Sequence, residues 1–159
     1  MNKLQSIIRY ICQNYPYKGE LSKARLTKMV YLADWRSAQL QSRPITSIQW
    51  VFNHYGPYVE DVIEAASTDP FLRVIQTTNH YGTPKVLVQV SDDAPPAALS
   101  DYDQQVLDEV IDETSPMAFK AFIDHVYSTY PIRTADRYDF LNLPALAHEE
   151  INEQPRMPF

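Results

Sequence analysis

Apolar residues recur along this chain with two periods, and each period predicts a type of element. Leu4, Ile7, Ile8, Ile11 and Tyr15 follow helical spacing and predict a first helix over about residues 2–14, ended by "NYPYKG". Ser22 is placed to cap a second helix, where Leu26, Met29, Val30 and Ala33 fall at i, i+3, i+4 and i+7. Lys23 and Lys28 lie off that stripe, and Trp35 also falls outside it. "QSRPITSIQW" predicts a turn followed by a short helix or an extended segment. Gly56 and Pro57 come next. Proline at a first helical position loses no hydrogen bond, so these two predict the start of a third helix, Pro57 to Ser67, with Val59, Val62, Ile63 and Ala66 inward.

The period then changes to two. "FLRVIQTT" and "KVLVQV" flank "NHYGTP" and read as strand, turn, strand. A lone hairpin is marginal in water, so this one is expected to lie on helices. Ser100 caps a fourth helix through Val106, Leu107, Val110 and Ile111. "SP" at 115–116 opens a fifth, striped by Phe119, Phe122, Ile123, Val126, Tyr127 and Tyr130 and stopped by Pro131. "PALAHEEINEQ" can form one more, and the closing "PRMPF" reads as frayed. The expected fold is therefore mainly α with a small β-hairpin (α+β). It is a compact helical domain with about five to six helices and a two- or three-stranded antiparallel sheet. Residues 1–159 are expected to form one domain, with the tail from about 144 the least defined part.

Charge narrows the function classes. The net charge of −6 disfavours a nucleic-acid binder, because neutralising phosphates needs surplus Lys and Arg. The charges are also segregated. Lys18, Lys23, Arg25, Lys28, Arg36 and Arg43 cluster early, and Asp92, Asp93, Asp101, Asp103, Asp108, Glu109, Asp112 and Glu113 cluster late. Two readings follow: solvated helix faces that face each other, or a bipolar surface that selects a protein partner. The 11 tyrosines suit cores and contact surfaces alike, since each joins apolar area to a hydroxyl. No apolar run approaches the ~20 residues that span a bilayer, so no membrane segment is expected.

Candidate chemistry is sparse. Cys12 is alone, which excludes an internal disulfide and a Cys-based zinc site and suggests a cytoplasmic protein. Its place in an amphipathic helix suits an inert thiol. Asp124 and His125 are helix neighbours whose side chains diverge by about 100°, a poor acid–base pair. His54 and His80 each precede "YG" without the convergent ligands a metal needs. The sequence contains no HExxH, GxSxG, P-loop or GxGxxG pattern. An enzyme, a metal site and a cofactor are therefore not expected. Helices followed by a hairpin also fit a winged-helix DNA-binding regulator, whose second or third helix would enter a groove with "NHYGTP" as wing tip. Only the second helix carries the necessary cations.

Residues 26–62, "LTKMVYLADWRSAQLQSRPITSIQWVFNHYGPYVEDV", carry a more specific signal. Leu26, Lys28, Met29, Val30, Tyr31, Ala33 and Asp34 are followed by Arg43, Pro44 and Ile45, then by Gly56, Pro57 and Tyr58. In this order and spacing they resemble the Panacea, or SocA-like, antitoxin domain. That resemblance implies an antitoxin of a bacterial or phage toxin–antitoxin pair. Such a domain neutralises a cognate toxin, usually encoded next door, by direct protein contact, within a homo- or hetero-oligomer. On this reading the contact candidates are Trp35, Arg43, Trp50, His54, Tyr55 and Tyr58, because Trp, Tyr and Arg dominate interface hot spots. Gly56 and Pro57 have a structural role. "KVLVQV" is a second candidate route, as a sheet edge able to accept a toxin strand.

Overall fold

The computed structural model describes residues 2–153, and among them seven helices and two small antiparallel sheets. The "PRMPF" end lies outside the described residues. Helix α1 (Lys3–Asn14) opens on a capping box: the Asn2 side chain accepts from the Gln5 amide, and the Gln5 side chain accepts from the Asn2 amide. A 3₁₀ turn at Lys18–Glu20 leads into α2 (Lys23–Gln41), capped by the Ser22 hydroxyl as expected. Strands β1 (Trp50–Asn53) and β2 (Gly56–Pro57) precede α3 (Asp61–Ser67). The hairpin β3 (Leu72–Thr78) and β4 (Pro84–Val90) follows. Then come α4 (Asp101–Thr114), α5 (Phe119–Tyr127), α6 (Tyr130–Thr134), β5 (Phe140–Leu141) and α7 (Leu143–Glu153).

Helix α2 is the axis of the molecule. Every residue from Arg25 to Trp35 is buried, and α1, α3, α4, α5, α7 and β4 all pack on it. The four-residue stripe seen in the sequence therefore describes one face of a helix that has no free face. Because charged residues occupy positions between the apolar ones, burial traps some of them. Arg25 donates to the Thr114 carbonyl (2.8 Å) and the Met117 carbonyl (2.7 Å), closing the negative end of α4. Arg36 pairs with Glu109 and Glu113, and Lys3 with Asp103. Of the early cations, Arg36 therefore meets the late anions, while Arg25 is held by carbonyl oxygens. On α1, Arg9 forms a buried fork onto Asp69 with both bonds at 2.6 Å, its guanidinium 4.7 Å from the Phe71 ring centre, and so ties α1 to the α3–β3 corner.

Three features differ from the sequence expectation. Gly56 and Pro57 form β2 rather than the start of a helix. Pairing of Phe52 with Pro57 and of Asn53 with Gly56 makes His54–Tyr55 the turn of a tight hairpin, and α3 begins only at Asp61. Pro57 tolerates this because a short edge strand asks no N–H of it. The fifth helix ends at Tyr127, and Pro131 lies in the first turn of a separate helix, α6, where its missing N–H again has no partner to lose. The third difference lies in the β3–β4 hairpin. Val88 N–H donates to the Leu21 carbonyl (3.1 Å) and Leu87 bridges Ser22. This makes β4, the "KVLVQV" strand, the inner one. The open edge among the described residues belongs to β3.

Candidate functional site

A single buried carboxylate organises the region where the candidate residues meet. Asp34, fully buried on α2, accepts hydrogen bonds from the amides of Ile45 (3.0 Å) and Thr46 (2.9 Å), the Thr46 hydroxyl (2.5 Å) and the Trp50 indole (2.8 Å). Burial raises its pKa, and the bonds from Thr46, Trp50 and Ile45 oppose the rise. One side chain thereby fixes the path of the chain from α2 into β1. The Ser37 hydroxyl donates to the Arg43 carbonyl (2.6 Å), holding the start of the same loop. Tyr31 packs edge-on against Trp50 at 5.6 Å and bonds the Thr129 hydroxyl (2.8 Å), which adds α5 and α6 to the support.

What this support carries is a three-stranded sheet in the order β2–β1–β5. Along β1, Trp50 and Phe52 point into the core, and Val51 and Asn53 are half-buried on the other face. Phe140 on β5 lies opposite Val51 and is 75% exposed. Tyr55 at the hairpin turn is also 75% exposed, and Tyr138, just before β5, 65%. Tyr138 holds a left-handed backbone (φ 73°), rare for a bulky residue, while its amide donates to the Phe52 carbonyl (2.5 Å). Grooves flank Phe140 on both sides. One, of about 520 Å³, is lined by Pro44, Ile48, Trp50 and Leu143; the other, of about 470 Å³, by Ser47, Asn53, Tyr58 and Glu60. Arg137 stacks 5.5 Å from the Phe52 ring centre and donates to the His54 carbonyl (3.2 Å), closing the hairpin turn onto the β5 segment.

Gly56 is the tight point of the hairpin. Its φ is +103°, and an added Cβ would sit 3.4 Å from the Tyr127 ring and 3.5 Å from the Lys28 Cε. Behind it, Lys28 is only 3% exposed. Among the described residues it has neither a carboxylate partner nor a hydrogen bond. Its ammonium lies 5.8 Å from the centre of the Tyr58 ring, and the Lys23 ammonium 5.7 Å from the same centre. Burial pulls the Lys28 pKa down to about 8. The Tyr58 hydroxyl is buried without a hydrogen-bond partner, and burial raises its pKa against the opposing effect of Lys23.

The six contact candidates therefore separate. Trp35 (5% exposed) and Trp50 (1%) are core residues, because α2 is enclosed and the Trp50 indole is committed to Asp34; Trp50 contributes only to the wall of the groove beside Phe140. His54 and Tyr55 stand together at the hairpin turn, rings 4.4 Å apart and edge-on. Tyr58 is half-buried beside Lys28, and Arg43 is exposed at the mouth of the α2–β1 loop. Gly56 and Pro57 are structural, though as strand and turn. Phe140 and Tyr138 escaped the sequence reading. Their only signal was aromatic residues among polar neighbours in "RYDFLNL", a stretch with no period.

A match to a family model decides what the arrangement belongs to. Residues 26–131 match the model described as "Antitoxin SocA-like, Panacea domain", two thirds of the 159-residue chain. The chain belongs to this antitoxin family. No curated protein and no solved structure matches it. The Panacea match runs beyond the quoted motif through α3, the β3–β4 hairpin, α4 and α5. The structure gives the motif a physical meaning. Leu26, Met29, Val30 and Ala33 fill the centre of the core, Tyr31 and Asp34 brace β1, the Ile45 amide donates to Asp34, and Gly56 turns the hairpin over Lys28. Among the described residues no group of three His, Cys, Asp or Glu side chains could hold a metal ion, and no helix is long and apolar enough to cross a membrane. Cys12 is buried, and burial pushes its thiol up to about 12.

Proposed function

We propose that this chain neutralises a cognate toxin protein by binding it directly, with the outer face of the β2–β1–β5 sheet as the contact surface. The observation that carries the reading is that three large exposed aromatics, Tyr55 in the β1–β2 turn, Tyr138 just before β5 and Phe140 on β5, belong to one small sheet and its turns in an antitoxin-family protein. Exposed aromatics beside grooves are what interface hot spots are made of, and a braced sheet presents them with little ordering cost. His54, packed on Tyr55, and Tyr58, in the groove beside Phe140, border the same surface. A winged-helix reading is disfavoured on physical grounds: α2 bears the cations but has no free face to enter a groove, and α3 carries Asp61 and Glu64 in its first turn.

The test is co-expression with the neighbouring open reading frame. The neighbour alone should arrest growth, and this chain should relieve the arrest and co-purify with it. A Tyr55→Ala/Phe140→Ala double variant with an unchanged far-UV CD spectrum should lose most of the relief, since each hot-spot truncation costs about 2 kcal/mol or more of binding. Full relief by that variant would refute the surface. No relief by the unaltered chain would refute the function.

A further inference from the structure

Strand β3 is an edge that the fold leaves open, and the phase of its hydrogen bonds shows which groups are open. At the two ends of the hairpin the Ser91 amide donates to the Phe71 carbonyl (2.8 Å) and the Asn79 amide to the Thr83 carbonyl (3.0 Å). Counting in twos between them, Arg73, Ile75 and Thr77 turn their backbone groups toward β4, while Leu72, Val74, Gln76 and Thr78 turn theirs outward. The Leu72 amide donates to the Asp69 carbonyl (3.1 Å). Val74, Gln76 and Thr78 have no backbone partner on the outer side among the described residues. Folded chains ordinarily guard such an edge with lysine, proline or a bulge. Strand β3 carries none of these: its 7 residues pair with β4 without interruption, and Arg73 is its one charge. Val74, opposite the buried Val88, is nevertheless 36% exposed.

We propose that β3 pairs antiparallel with β3 of a second copy of this chain, about a two-fold axis through Ile75, to make one four-stranded sheet. Three observations select a second copy. The first is charge. Residues 70–91 contain no Asp or Glu, although the chain has 20 of them and a net charge of −6. Two acidic molecules can therefore meet along this hairpin without bringing carboxylates together. The second is self-complementarity. An axis at Ile75 aligns the whole strand with itself, so that Leu72 faces Thr78, Arg73 faces Thr77 and Val74 faces Gln76 of the other copy. The two arginines then stand at opposite ends, and no charge opposes a like charge. The third is phase. Ile75 turns its backbone to β4, so the central pair is of the non-hydrogen-bonded kind that brings side chains closest, with Cα atoms about 4.5 Å apart. Ile75 and Leu87, half-buried and paired within each copy, join into a continuous apolar row across the new sheet. The outward groups supply about six bonds between the copies. The hairpin tip that follows Thr78, with Tyr81 90% exposed, runs on toward the α3–β3 corner of the other copy. An edge this short predicts a weak, reversible dimer. The pairing uses no residue of the β2–β1–β5 surface and stands independently of toxin binding.

The full chain in solution tests this. Light scattering should show the mass rising from 18.4 kDa toward double that value as the concentration goes from micromolar to millimolar. Over the same range, amide hydrogen exchange by NMR should show Val74, Gln76 and Thr78 gaining protection, while Arg73, Ile75 and Thr77, already bonded to β4, change little. Gln76→Pro removes an outward amide where an edge strand tolerates proline, and Val74→Lys guards the edge with charge. With an unchanged far-UV CD spectrum, either variant should stay monomeric. Ile75→Cys should cross-link as a dimer under mild oxidation, because facing cysteines at that spacing fit a disulfide, and Thr77→Cys should not. Cys12 is buried, and the unaltered chain is the control. A chain that remains monomeric at every concentration overturns the proposal. So does a dimer that both edge variants leave intact, or association beyond a dimer, since pairing closes the open edge. Protection gained only when the neighbouring gene product is added assigns the edge to a strand of that protein and overturns the second copy. Cross-linking through Thr77→Cys in place of Ile75→Cys overturns the axis. Should the edge variants fail to fold, exchange and cross-linking decide.

Discussion

Replacing Lys28 by methionine should stabilise the free protein, and the size of the gain can be worked out. Lys28 titrates at about 8 in the fold against 10.5 for a free lysine. At about 1.4 kcal/mol per pH unit, holding the charged form inside costs roughly 3 kcal/mol. Losing the cation–ring contact with Tyr58 returns about 0.5–1 kcal/mol of that. Methionine fills similar volume and carries no charge, so Lys28→Met should gain about 2–3 kcal/mol at pH 7. That is roughly 5–10 °C in Tm for a chain of this size. The gain has a pH signature. A lysine whose folded pKa is depressed destabilises fully below that value, and the penalty fades as pH rises toward the unfolded value. The difference between variant and parent should therefore be complete below about pH 8 and shrink to under about 0.5 kcal/mol by pH 10.5. Buried tyrosines titrate in the same alkaline range, but they are common to both proteins and cancel. Urea unfolding at pH 7.0, 8.5, 9.5 and 10.5, followed by fluorescence of Trp35 and Trp50, measures it. Equal stability at pH 7 would show that Lys28 is solvated or paired. A gain that does not vary with pH would assign the effect to packing instead of charge.

Other perturbations follow from the same geometry. Asp34→Asn puts an amide donor where the Thr46 hydroxyl and the Trp50 indole already donate, and should cost about 2–4 kcal/mol, read by urea unfolding together with a red shift of tryptophan emission. Asp69→Asn leaves Arg9 buried without its anion and should cost about 3–5 kcal/mol at neutral pH. Burial would raise the Asp69 pKa, but the bonds from Arg9 and the Phe71 amide outweigh it and hold it below 3.8. Its contribution is therefore present above that value and lost as pH falls through the depressed one. An acid titration of Asp69→Asn should accordingly be flatter below pH 4 than that of the parent. Gly56→Ala should cost about 1–2 kcal/mol from the positive φ, measurable by thermal unfolding, since the nearest atoms leave ordinary contact distances for a methyl group.

Much of the scaffold is legible in the linear chain because it depends on local physics. Helical spacing locates α1, α2 and α4, the Ser22 and Ser100 hydroxyls cap as expected, and alternation locates the β3–β4 hairpin. The ordered motif from Leu26 to Tyr58 places the chain in its antitoxin family, because each motif residue has a fixed mechanical task around α2. Local reading fails where two outcomes share one local chemistry. Gly-Pro can begin a helix or edge a strand, and only the pairing of Phe52 with Pro57 selects the strand. Pro131 can end one helix or begin another.

The surface was decided entirely by tertiary contact. A tryptophan or tyrosine has the same composition in a core as at an interface, so nothing near Trp35 or Trp50 revealed that an enclosed α2 and Asp34 would claim them. Phe140 and Tyr138 gain meaning only because β5 returns, from almost ninety residues away, to pair with β1. Lys28 looked like a solvated charge beside an apolar stripe, and it became a buried cation when other elements closed over every side of that helix. Periodicity records which residues share a face. Which faces remain open depends on how many neighbours pack around them, and that sum is taken over the whole fold.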